Sequence, residues 1–382
     1  MVVLLKKTIV FLSLLLFFPI QIPIFASADV QPQISAKSAV LMNADNAQIL
    51  YAKNQNDKRS MASTTKIMTA LITLEAAAVN NKIVTITDNM VRVEGSSMGL
   101  KPGNKLSLKS LAEGMLVVSG NDAANSAAIA ISGSSKAFAD LMNKRAKELN
   151  MTDTHFVTPS GLDDDEHYTT ANDLAILAVA AMQNPDFAEI ACQKAMAVQY
   201  VNPSQTIRFT NHNKLLSMYD GCIGVKTGFT KKSGRCLVSS AERNGIRLIA
   251  VTLDAPDDWN DHQKMLNYGF TKLANYKIDD SSFGVQIPAV GGISNHVMVR
   301  GSSGNDIVVN ADEISNIKRT VELPAFIYAP VQEGQTLGHV RYTLNAETLA
   351  TTDIVAAEPV LKMEIPKNIF YIFLDWIKDL FI

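Results

Sequence analysis

The run Ser63-Thr64-Thr65-Lys66 places a hydroxyl and an amine three residues apart, at the start of a segment with helical periodicity. Residues three apart on a helix share a face, so the Lys66 amine can reach the Ser63 hydroxyl. A helix N-terminus favours a forming alkoxide and disfavours a charged lysine, and a lysine must lose its proton to act as a base. The pattern therefore predicts an activated serine nucleophile. Alone it is weak, because Ser63 also fits a helix N-cap and Ser315-Asn316-Ile317-Lys318 has the same spacing.

A second hydroxyl lies in Ser119-Gly120-Asn121, between two predicted helices. Ser119 can pass a proton between Lys66 and a leaving group, and Asn121 offers an amide donor and acceptor to a substrate carbonyl and the lysine. Gly120 allows the backbone a close approach. Taken singly, this tripeptide is also an ordinary turn between helices.

The third group is Lys226-Thr227-Gly228, on a predicted strand. A second positive charge near Lys66 disfavours the charged form of Lys66. Lys226 and Thr227 can bind a substrate carboxylate. Gly228 has no side chain to block a peptide that pairs along the strand edge. The order of the three motifs is the set known from penicillin-binding proteins and class A β-lactamases.

Hydrophobic periodicity and turn residues predict the elements that must position these groups. Residues 29–278 mix helical and strand signals and predict an α+β domain with an antiparallel sheet. Asn244-Gly245 predicts a hairpin with a type I′ turn. The predicted elements are strands Ser38–Met42 and Gln48–Ala52, a helix from about Thr64, helices Leu108–Val118, Asp122–Ile131 and Phe138–Leu149, strands Val225–Thr230, Arg235–Glu242 and Ile246–Leu253, and a helix from about Asp257 to Tyr276.

Residues 279–365 have a different pattern, with short alternating runs punctuated by Gly and Pro. The runs include Val297–Arg300, Ile307–Val309 and Leu337–Leu344. They predict a separate small all-β domain, to which no catalytic role is assigned.

Taken together with the residues around each motif, the sequence resembles the serine D-alanyl-D-alanine carboxypeptidases, the low-molecular-mass penicillin-binding proteins of the peptidase S11 family. The resemblance covers residues 34–278, and it implies a penicillin-binding-protein/β-lactamase-like transpeptidase domain. The β domain and tail are similar to the family's layout, though less specifically. The segments that carry the resemblance are Met61–Thr69, Val118–Ala124, Pro159-Ser160-Gly161-Leu162-Asp163, and Asp220-Gly221 upstream of Val225–Phe229.

The resemblance implies a role for each candidate residue. Ser63 would attack the penultimate D-alanine of a peptidoglycan stem pentapeptide to form an acyl-enzyme, with Lys66 as general base. Ser119, with Lys226 nearby, would protonate the departing D-alanine, and Asn121 completes the catalytic set. The backbone N–H groups of Ser63 and Phe229 would form the oxyanion hole. The resemblance also implies acylation of the enzyme by β-lactams and the use of no cofactor or metal. The residues expected to bind the substrate are Lys226, Thr227, Gly228 and His212.

Composition limits the partners and the redox setting. The chain of 382 residues carries a formal charge of −2 and has no basic block, which argues against nucleic acid as a partner. Cys192, Cys222 and Cys236 have no zinc-site spacing. We expect free thiols, although a Cys222–Cys236 pair is conceivable. Asp163-Asp164-Asp165-Glu166 lacks the alternating spacing of a calcium loop and predicts a solvated loop.

Both ends of the chain carry membrane-related signals. Lys6 and Lys7, the apolar run Ile9–Phe25 and Ala26-Ser27-Ala28 predict a signal peptide of residues 1–28, with an uncleaved anchor as the alternative. Cleavage would leave a formal charge of −4, because this segment holds two lysines and no acidic residue. Residues 366–382 predict an amphipathic helix of about 25 Å, short of the roughly 30 Å of a bilayer core. It would bind the extracytoplasmic membrane surface, or else dock on the β domain.

Three other activities remain open from the sequence. A β-lactamase would need a glutamate-held water for deacylation, and no convincing loop supplies one; its second motif also reads Ser-Asp-Asn rather than Ser-Gly-Asn. A D,D-endopeptidase is compatible with all three motifs. A non-catalytic wall-binding or β-lactam-sensing protein is disfavoured, because every motif residue is present.

Overall fold

The computed structural model describes residues 30–364 and 369–380, so the predicted signal peptide lies outside the described residues. The strands are β1 Ser38–Asn43, β2 Ile49–Lys53, β3 Ile83–Thr85, β4 Lys105–Ser107, β5 Ala195–Tyr200, β6 Gln205–Thr210, β7 Cys222–Thr230, β8 Gly234–Arg243, β9 Ile246–Leu253, β10 Leu273–Tyr276, β11 Gly284–Val290, β12 His296–Gly301, β13 Ile307–Asn310, β14 Lys318–Glu322, β15 Ile327–Tyr328, β16 Thr336–Leu344 and β17 Glu347–Ala356. The helices are α1 Lys66–Val79, α2 Asp88–Val91, α3 Leu108–Val117, α4 Asn121–Ser132, α5 Ser135–Glu148, α6 Ala171–Gln183, α7 Pro185–Ala191, α8 Leu215–Met218, α9 Asp258–Lys272 and α10 Ile369–Leu380.

A five-stranded antiparallel sheet in the order β2-β1-β9-β8-β7 forms the centre of the first part. Strand β1 is buried along its whole length, and its alternate residues face two different cores. Val40 and Met42 pack with helices α1, α3, α4 and α6 on one face. Ala39 and Leu41 pack with α9 on the other. The predicted α+β layering is confirmed, and β7 lies at an edge of the sheet.

The β8–β9 hairpin turns at Asn244-Gly245, as predicted. Asn244 has φ 51° and Gly245 has φ 76°, the two positive values that a type I′ turn requires. The hairpin places β8 between β9 and β7, and so carries the Lys226-Thr227-Gly228 strand to the sheet edge.

A six-stranded sheet in the order β14-β16-β17-β12-β11-β15 forms the second part, with Val297, Val340 and Ile354 in its own core. Asp280 is buried beneath this sheet, where its carboxylate pairs with Arg319 at 2.8 Å and accepts a hydrogen bond from Thr352 at 2.6 Å. These contacts connect Asp280, in the segment that leads into the sheet, to strands β14 and β17. The predicted β-rich character of this part is confirmed.

The prediction of one helix from Asp257 to Tyr276 was wrong at its end. Helix α9 stops at Lys272, and Leu273–Tyr276 continues as β10. No Gly or Pro marks the change. The segment Leu273–Tyr276 becomes a strand because it pairs with Ile307–Asn310 and buries Leu273. These tertiary contacts override the local helical pattern.

The three cysteines are free thiols. Cys222 pairs across the sheet with Ala241, whereas Cys236 pairs with Gly228. The two thiols therefore lie at different levels of the β7–β8 ladder, and the conceivable Cys222–Cys236 bridge is not formed.

The C-terminal segment forms helix α10, which begins at Ile369 and ends at Leu380. Ile372, Phe373, Trp376 and Leu380 are exposed on it. Of the helices in residues 30–364 and 369–380, none is long and apolar enough to cross a membrane.

Candidate active site

Ser63 lies in a 3-10 turn, Ala62–Thr65, that leads directly into α1. The preceding Ala62 has φ 47°, in the left-handed region that costs an alanine about 1 kcal/mol or more. The side chain of Thr65 holds this turn closed, because its hydroxyl donates to the Ala62 carbonyl at 2.8 Å. The Ser63 hydroxyl is not an N-cap; it accepts a hydrogen bond from Lys66 Nζ at 2.9 Å. The three-residue spacing thus brings the two groups together as predicted.

Lys66 is fully buried, and its Nζ also donates to the Ser160 carbonyl at 2.6 Å. Burial, followed by the charge of Lys226, holds the pKa of Lys66 well below its ordinary value, while Asp122 opposes the shift. The lowered pKa favours the neutral form of the amine, and a neutral amine can accept the proton of Ser63. The Ser160 carbonyl fixes its direction.

A buried histidine, His167, contacts the Ala62–Thr65 turn, which we call the nucleophile turn after the predicted role of Ser63. His167 Nδ1 accepts hydrogen bonds from the N–H groups of Val157 at 2.9 Å and Thr158 at 3.3 Å. Nε2 therefore carries the proton and donates to Thr65 Oγ1 at 2.7 Å. Burial lowers the pKa of His167 to about 4, so the ring is neutral near pH 7. A continuous chain of hydrogen bonds runs from the ring through Thr65 to the strained Ala62 carbonyl.

Gly161 packs against the same carbonyl. Its φ is +84°, and a Cβ at this position would lie 2.0 Å from the Ala62 oxygen and 2.8 Å from Thr65 Oγ1. Only glycine fits here, because both the backbone conformation and the space exclude a side chain. The Ser160-Gly161 pair therefore contacts Lys66 and the nucleophile turn together.

The second motif lies between α3 and α4. Ser119 has φ 60°, is 3% exposed and lines the cavity described below. Asn121 does not line that cavity: its Nδ2 donates to Glu94 O at 2.6 Å, and its buried Oδ1 has no partner among the described residues. Its backbone N–H donates to Ser96 O at 2.7 Å. Asn121 therefore ties the Glu94–Ser96 loop to the start of α4.

Asp122 holds the rest of that loop. Its carboxylate accepts hydrogen bonds from Ser97 Oγ at 2.6 Å, Met98 N at 3.0 Å and Leu100 N at 2.9 Å. The loop from Ser97 to Leu100 is thereby fixed beside the second motif, and the negative charge of Asp122 partly opposes the lowering of the Lys66 pKa.

The third motif lies on edge strand β7. Lys226 is 1% exposed, its Nζ donates to Thr227 O at 2.9 Å, and burial lowers its pKa to about 7. The structure gives Gly228 a packing role in addition to the predicted one. A Cβ there would lie 3.0 Å from the backbone nitrogens of Ser63 and Thr64, so the glycine lets the nucleophile turn approach the strand. Phe229 follows with its side chain 64% exposed.

A cavity of about 340 Å³ opens above Ser63. Of the predicted site residues, Ser63, Ser119, His212, Thr227, Gly228 and Phe229 line it. Lys66, Asn121 and Lys226 are not part of its wall. The lining residues that the sequence reasoning missed are Ser96, Lys214, Arg235, Asp258 and Trp259.

Arg235 is the most informative of the missed residues. It faces Phe229 across the β7–β8 ladder, donates to Asp258 Oδ1 at 2.9 Å, and lies over the Trp259 ring at 5.7 Å. Its position opposite Phe229 follows from the hairpin register, so the sequence did contain a signal for it. The cation, the carboxylate and the two aromatic rings form one wall of the cavity.

Two patterns that mimicked functional sites are explained by their surroundings. Ser315 and Lys318 are both exposed, in a 3-10 turn and on β14 respectively, and no lysine is buried beside a serine there. In the acidic loop, Asp163 accepts from Thr230 Oγ1 at 2.8 Å, and Asp165 pairs with Lys232. These contacts join the acidic loop to the end of β7.

The comparisons with known proteins agree with this geometry. Residues 26–257 match the family model described as D-alanyl-D-alanine carboxypeptidase, peptidase S11, and residues 281–362 match that of the penicillin-binding protein 5 C-terminal domain. The chain is 33% identical to D-alanyl-D-alanine carboxypeptidase DacF of Bacillus subtilis, over 86% of each protein. It is 31% identical to DacC of Escherichia coli over 86% of this chain and 85% of that protein.

Solved structures give the same result. The D-alanyl-D-alanine carboxypeptidase DacD of Francisella tularensis matches with a TM-score of 0.63 and 29% identity, over 88% of this chain and 96% of that one. Penicillin-binding protein 5 of Haemophilus influenzae matches with a TM-score of 0.63 and 30% identity, over 87% and 99%. The predicted fold and the resemblance drawn from the motifs are confirmed. The chain belongs to the peptidase S11 family and is a serine D-alanyl-D-alanine carboxypeptidase.

Proposed function

We propose that Ser63 is the nucleophile that removes the terminal D-alanine from a peptidoglycan stem pentapeptide. The observation that carries this assignment is the 2.9 Å contact between Ser63 Oγ, which lines the cavity, and the fully buried Lys66 amine. A lysine whose pKa is lowered by burial can, in its neutral form, take the serine proton as the hydroxyl attacks the carbonyl of the penultimate D-alanine. The departing D-alanine leaves an ester on Ser63, which water then hydrolyses.

The other motif residues have supporting roles in this proposal. The backbone N–H groups of Ser63 and Phe229 receive the oxyanion, which is supported by the close packing of Gly228 against the Ser63 turn. Ser119 passes a proton to the leaving amine. Thr227 receives the terminal carboxylate at the cavity wall, with the buried, adjacent Lys226 in support through its charge, and His212 contributes from the same wall. Asn121 acts through the loop that it fixes, since its Nδ2 already binds Glu94 O.

The open edge of β7 supports a peptide substrate. This strand ends the five-stranded sheet, so its outer edge is available for an extended chain to pair with. Thr227, Gly228 and Phe229 on this strand line the cavity together with Ser63. A stem peptide lying along β7 would bring its D-alanyl-D-alanine end over Ser63.

The proposal extends to the setting of the enzyme. Residues 1–28 direct export, residues 29–278 form the catalytic domain, residues 279–365 form the C-terminal β domain, and residues 366–382 bind the extracytoplasmic face of the cell membrane. The exposed apolar side chains of α10, among them Phe373 and Trp376, support the last point. Penicillins, which present a strained carbonyl in place of the stem peptide, are expected to acylate Ser63.

The test follows free D-alanine from a synthetic stem pentapeptide, using wild type, Ser63→Ala and the matched control Ser315→Ala. Wild type and Ser315→Ala should release D-alanine at equal rates, and Ser63→Ala should release none above background. Absence of release by wild type would contradict the proposal. Intact-mass measurement with penicillin should show a persistent adduct in both active proteins and not in Ser63→Ala.

The same samples separate the alternatives. Rapid hydrolysis of penicillin, without a persistent adduct, would indicate a β-lactamase. Cleavage of a cross-linked stem dimer faster than release of D-alanine would indicate an endopeptidase. Binding of the peptide without any turnover would indicate a non-catalytic wall-binding protein.

A further inference from the structure

One end of the β domain carries a cluster of exposed apolar side chains, which we call the apolar tip: Val290, Ile293, Phe326, Tyr328, Leu361 and Met363. Each is between 48% and 70% exposed. Isolated exposed apolar residues are ordinary, but a continuous group of this size marks a contact surface.

Backbone pairing makes the tip continuous. Val290 and Tyr328 are partners in the parallel β11–β15 pair, and the Phe326 and Tyr328 rings pack edge to face at 5.5 Å. The Ile293 N–H donates to Leu361 O at 2.9 Å, and the Met363 N–H donates to Gly291 O at 2.8 Å. Three chain segments thus bring their apolar side chains to one end of the sheet.

The tip is tethered closely to α10. Met363 lies six residues before Ile369, where the helix begins. Six residues span at most about 20 Å when fully extended. Ile372, Phe373 and Trp376 on the helix are exposed, like the tip. Any surface on which the helix lies is therefore within reach of the tip.

A lipid surface is the occupant that fits both features. A twelve-residue helix is only about 18 Å long, and the membrane affinity of such a helix scales with the apolar area that it buries, so a second apolar contact would strengthen binding. Electrostatic attraction to anionic lipids is not favoured, because residues 361–382 hold three lysines and three acidic residues. What the tip and the helix share is aromatic and aliphatic surface, which suits the boundary between headgroups and acyl chains.

We infer that the apolar tip of the β domain is a second membrane contact, which inserts beside α10 and fixes the β domain against the bilayer. This inference rests on the proposed membrane binding of the tail. It would hold the molecule at two points rather than by a single helix, and so limit the orientations from which the cavity meets its substrate.

The test is flotation of the full chain with phosphatidylcholine vesicles, with and without phosphatidylglycerol. The tip variant is Ile293→Glu/Leu361→Glu, and the helix variant is Phe373→Glu/Trp376→Glu. The control variant is Val79→Glu/Val201→Glu, which changes exposed apolar residues outside the tip. The tip and helix variants should each bind vesicles at least about tenfold more weakly than wild type, and the control within about twofold. Added phosphatidylglycerol should change binding little.

Each contrary outcome has a definite meaning. A tip variant that floats like the control, while the helix variant does not float, overturns the inference and leaves the tail anchor standing. A tip variant that floats better than wild type would mean that the tip holds α10 in solution, which also overturns it. Unchanged flotation with loss of a dimer in sedimentation would assign the tip to a second copy of the chain.

Failure of wild type to bind vesicles overturns both the inference and the proposed tail anchor. Release of D-alanine from soluble stem peptide by the same preparations tests the role of Ser63 separately. All variants should keep this activity within about twofold, because the substituted residues lie outside the cavity.

Discussion

Replacing Gly161 with alanine should damage the active site far more than it damages the fold. The Cβ would lie 2.0 Å from the Ala62 oxygen, whereas real contacts of this kind are at least 3.0 Å, so the atoms must separate by about 1 Å. Ala62 directly precedes Ser63, and the carbonyl of Ser160 on the other side holds Lys66. A misplacement of about 1 Å in a catalytic group costs roughly 10²-fold in rate.

The cost in stability can be worked from the same contacts. Positive φ at an alanine costs about 1 kcal/mol, and forcing an extra methyl into packed space costs about 1–3 kcal/mol. Gly133→Ala is the matched control, since Gly133 has φ +80° but nothing lies within 4 Å of its Cβ. It should lose only the conformational part, about 1 kcal/mol, and keep full activity.

The assay is the rate of acylation by a fluorescent penicillin, together with thermal denaturation of both variants. We expect Gly161→Ala to acylate about 10²-fold more slowly than Gly133→Ala at a temperature where both are folded. Equal acylation rates for the two variants would refute the idea that Gly161 sets the position of the Ser63 turn.

Three further outcomes follow from the buried groups. His167→Phe should slow acylation about tenfold or more, because the ring can no longer donate a hydrogen bond to the nucleophile turn. His155→Phe is the control: it removes an exposed hydrogen bond and should leave the acylation rate within about twofold. As the proposed base, Lys66 must be neutral, so the acylation rate should rise with pH through the pKa of Lys66. Lys226→Met removes a charge that lowers this pKa, so the pKa of Lys66 should rise in the variant. Stopped-flow acylation rates should then show the acidic limb of the pH profile at higher pH than in wild type. Burial raises the pKa of Glu113 to about 7, so the stability that this group contributes is present below about pH 4.5 and is lost as the pH rises through 7. Glu113→Gln should therefore raise Tm at pH 8 and leave it nearly unchanged at pH 5 in thermal denaturation.

Much of the fold could be predicted because its signals are local. Turn residues such as Asn244-Gly245 and the helical repeat after Ser63 depend on neighbours within a few positions. The end of α9 could not be predicted in this way. Leu273–Tyr276 becomes a strand because it pairs with Ile307–Asn310, more than thirty residues away.

The same difference between local and distant signals applies to the active site. Ser63, Ser119 and Thr227 were predicted because their motifs fix residue types at short spacings, and all three line one cavity. The groups that position them were missed. The Ser160 carbonyl contacts Lys66 from 94 residues away, and a backbone carbonyl has no residue type that a sequence pattern can reveal. The ring of His167 contacts Thr65 from 102 residues away.

Gly228 shows how a residue can have a packing role that its own strand does not reveal. A missing side chain on an edge strand predicts room for a substrate peptide, and that prediction stands. The ideal Cβ direction also leads to the nitrogens of Ser63 and Thr64 at 3.0 Å. The glycine therefore eases the packing of β7 against the turn of Ser63, a contact that can be recognised only when both elements are known.

The contrast between Ser63 and Ser315 shows what converts a spacing into a reactive group. Both serines lie three residues before a lysine, but Lys318 is exposed and keeps its hydration, whereas Lys66 is fully buried. Burial is the first cause of the low pKa of Lys66, and the nearby Lys226 adds to it. Burial in turn needs the Ser160 loop, strand β7 and the start of α4 to close around the amine. The spacing supplies the two groups, and the packing of three distant segments lowers the pKa of Lys66, as its proposed role as the base requires.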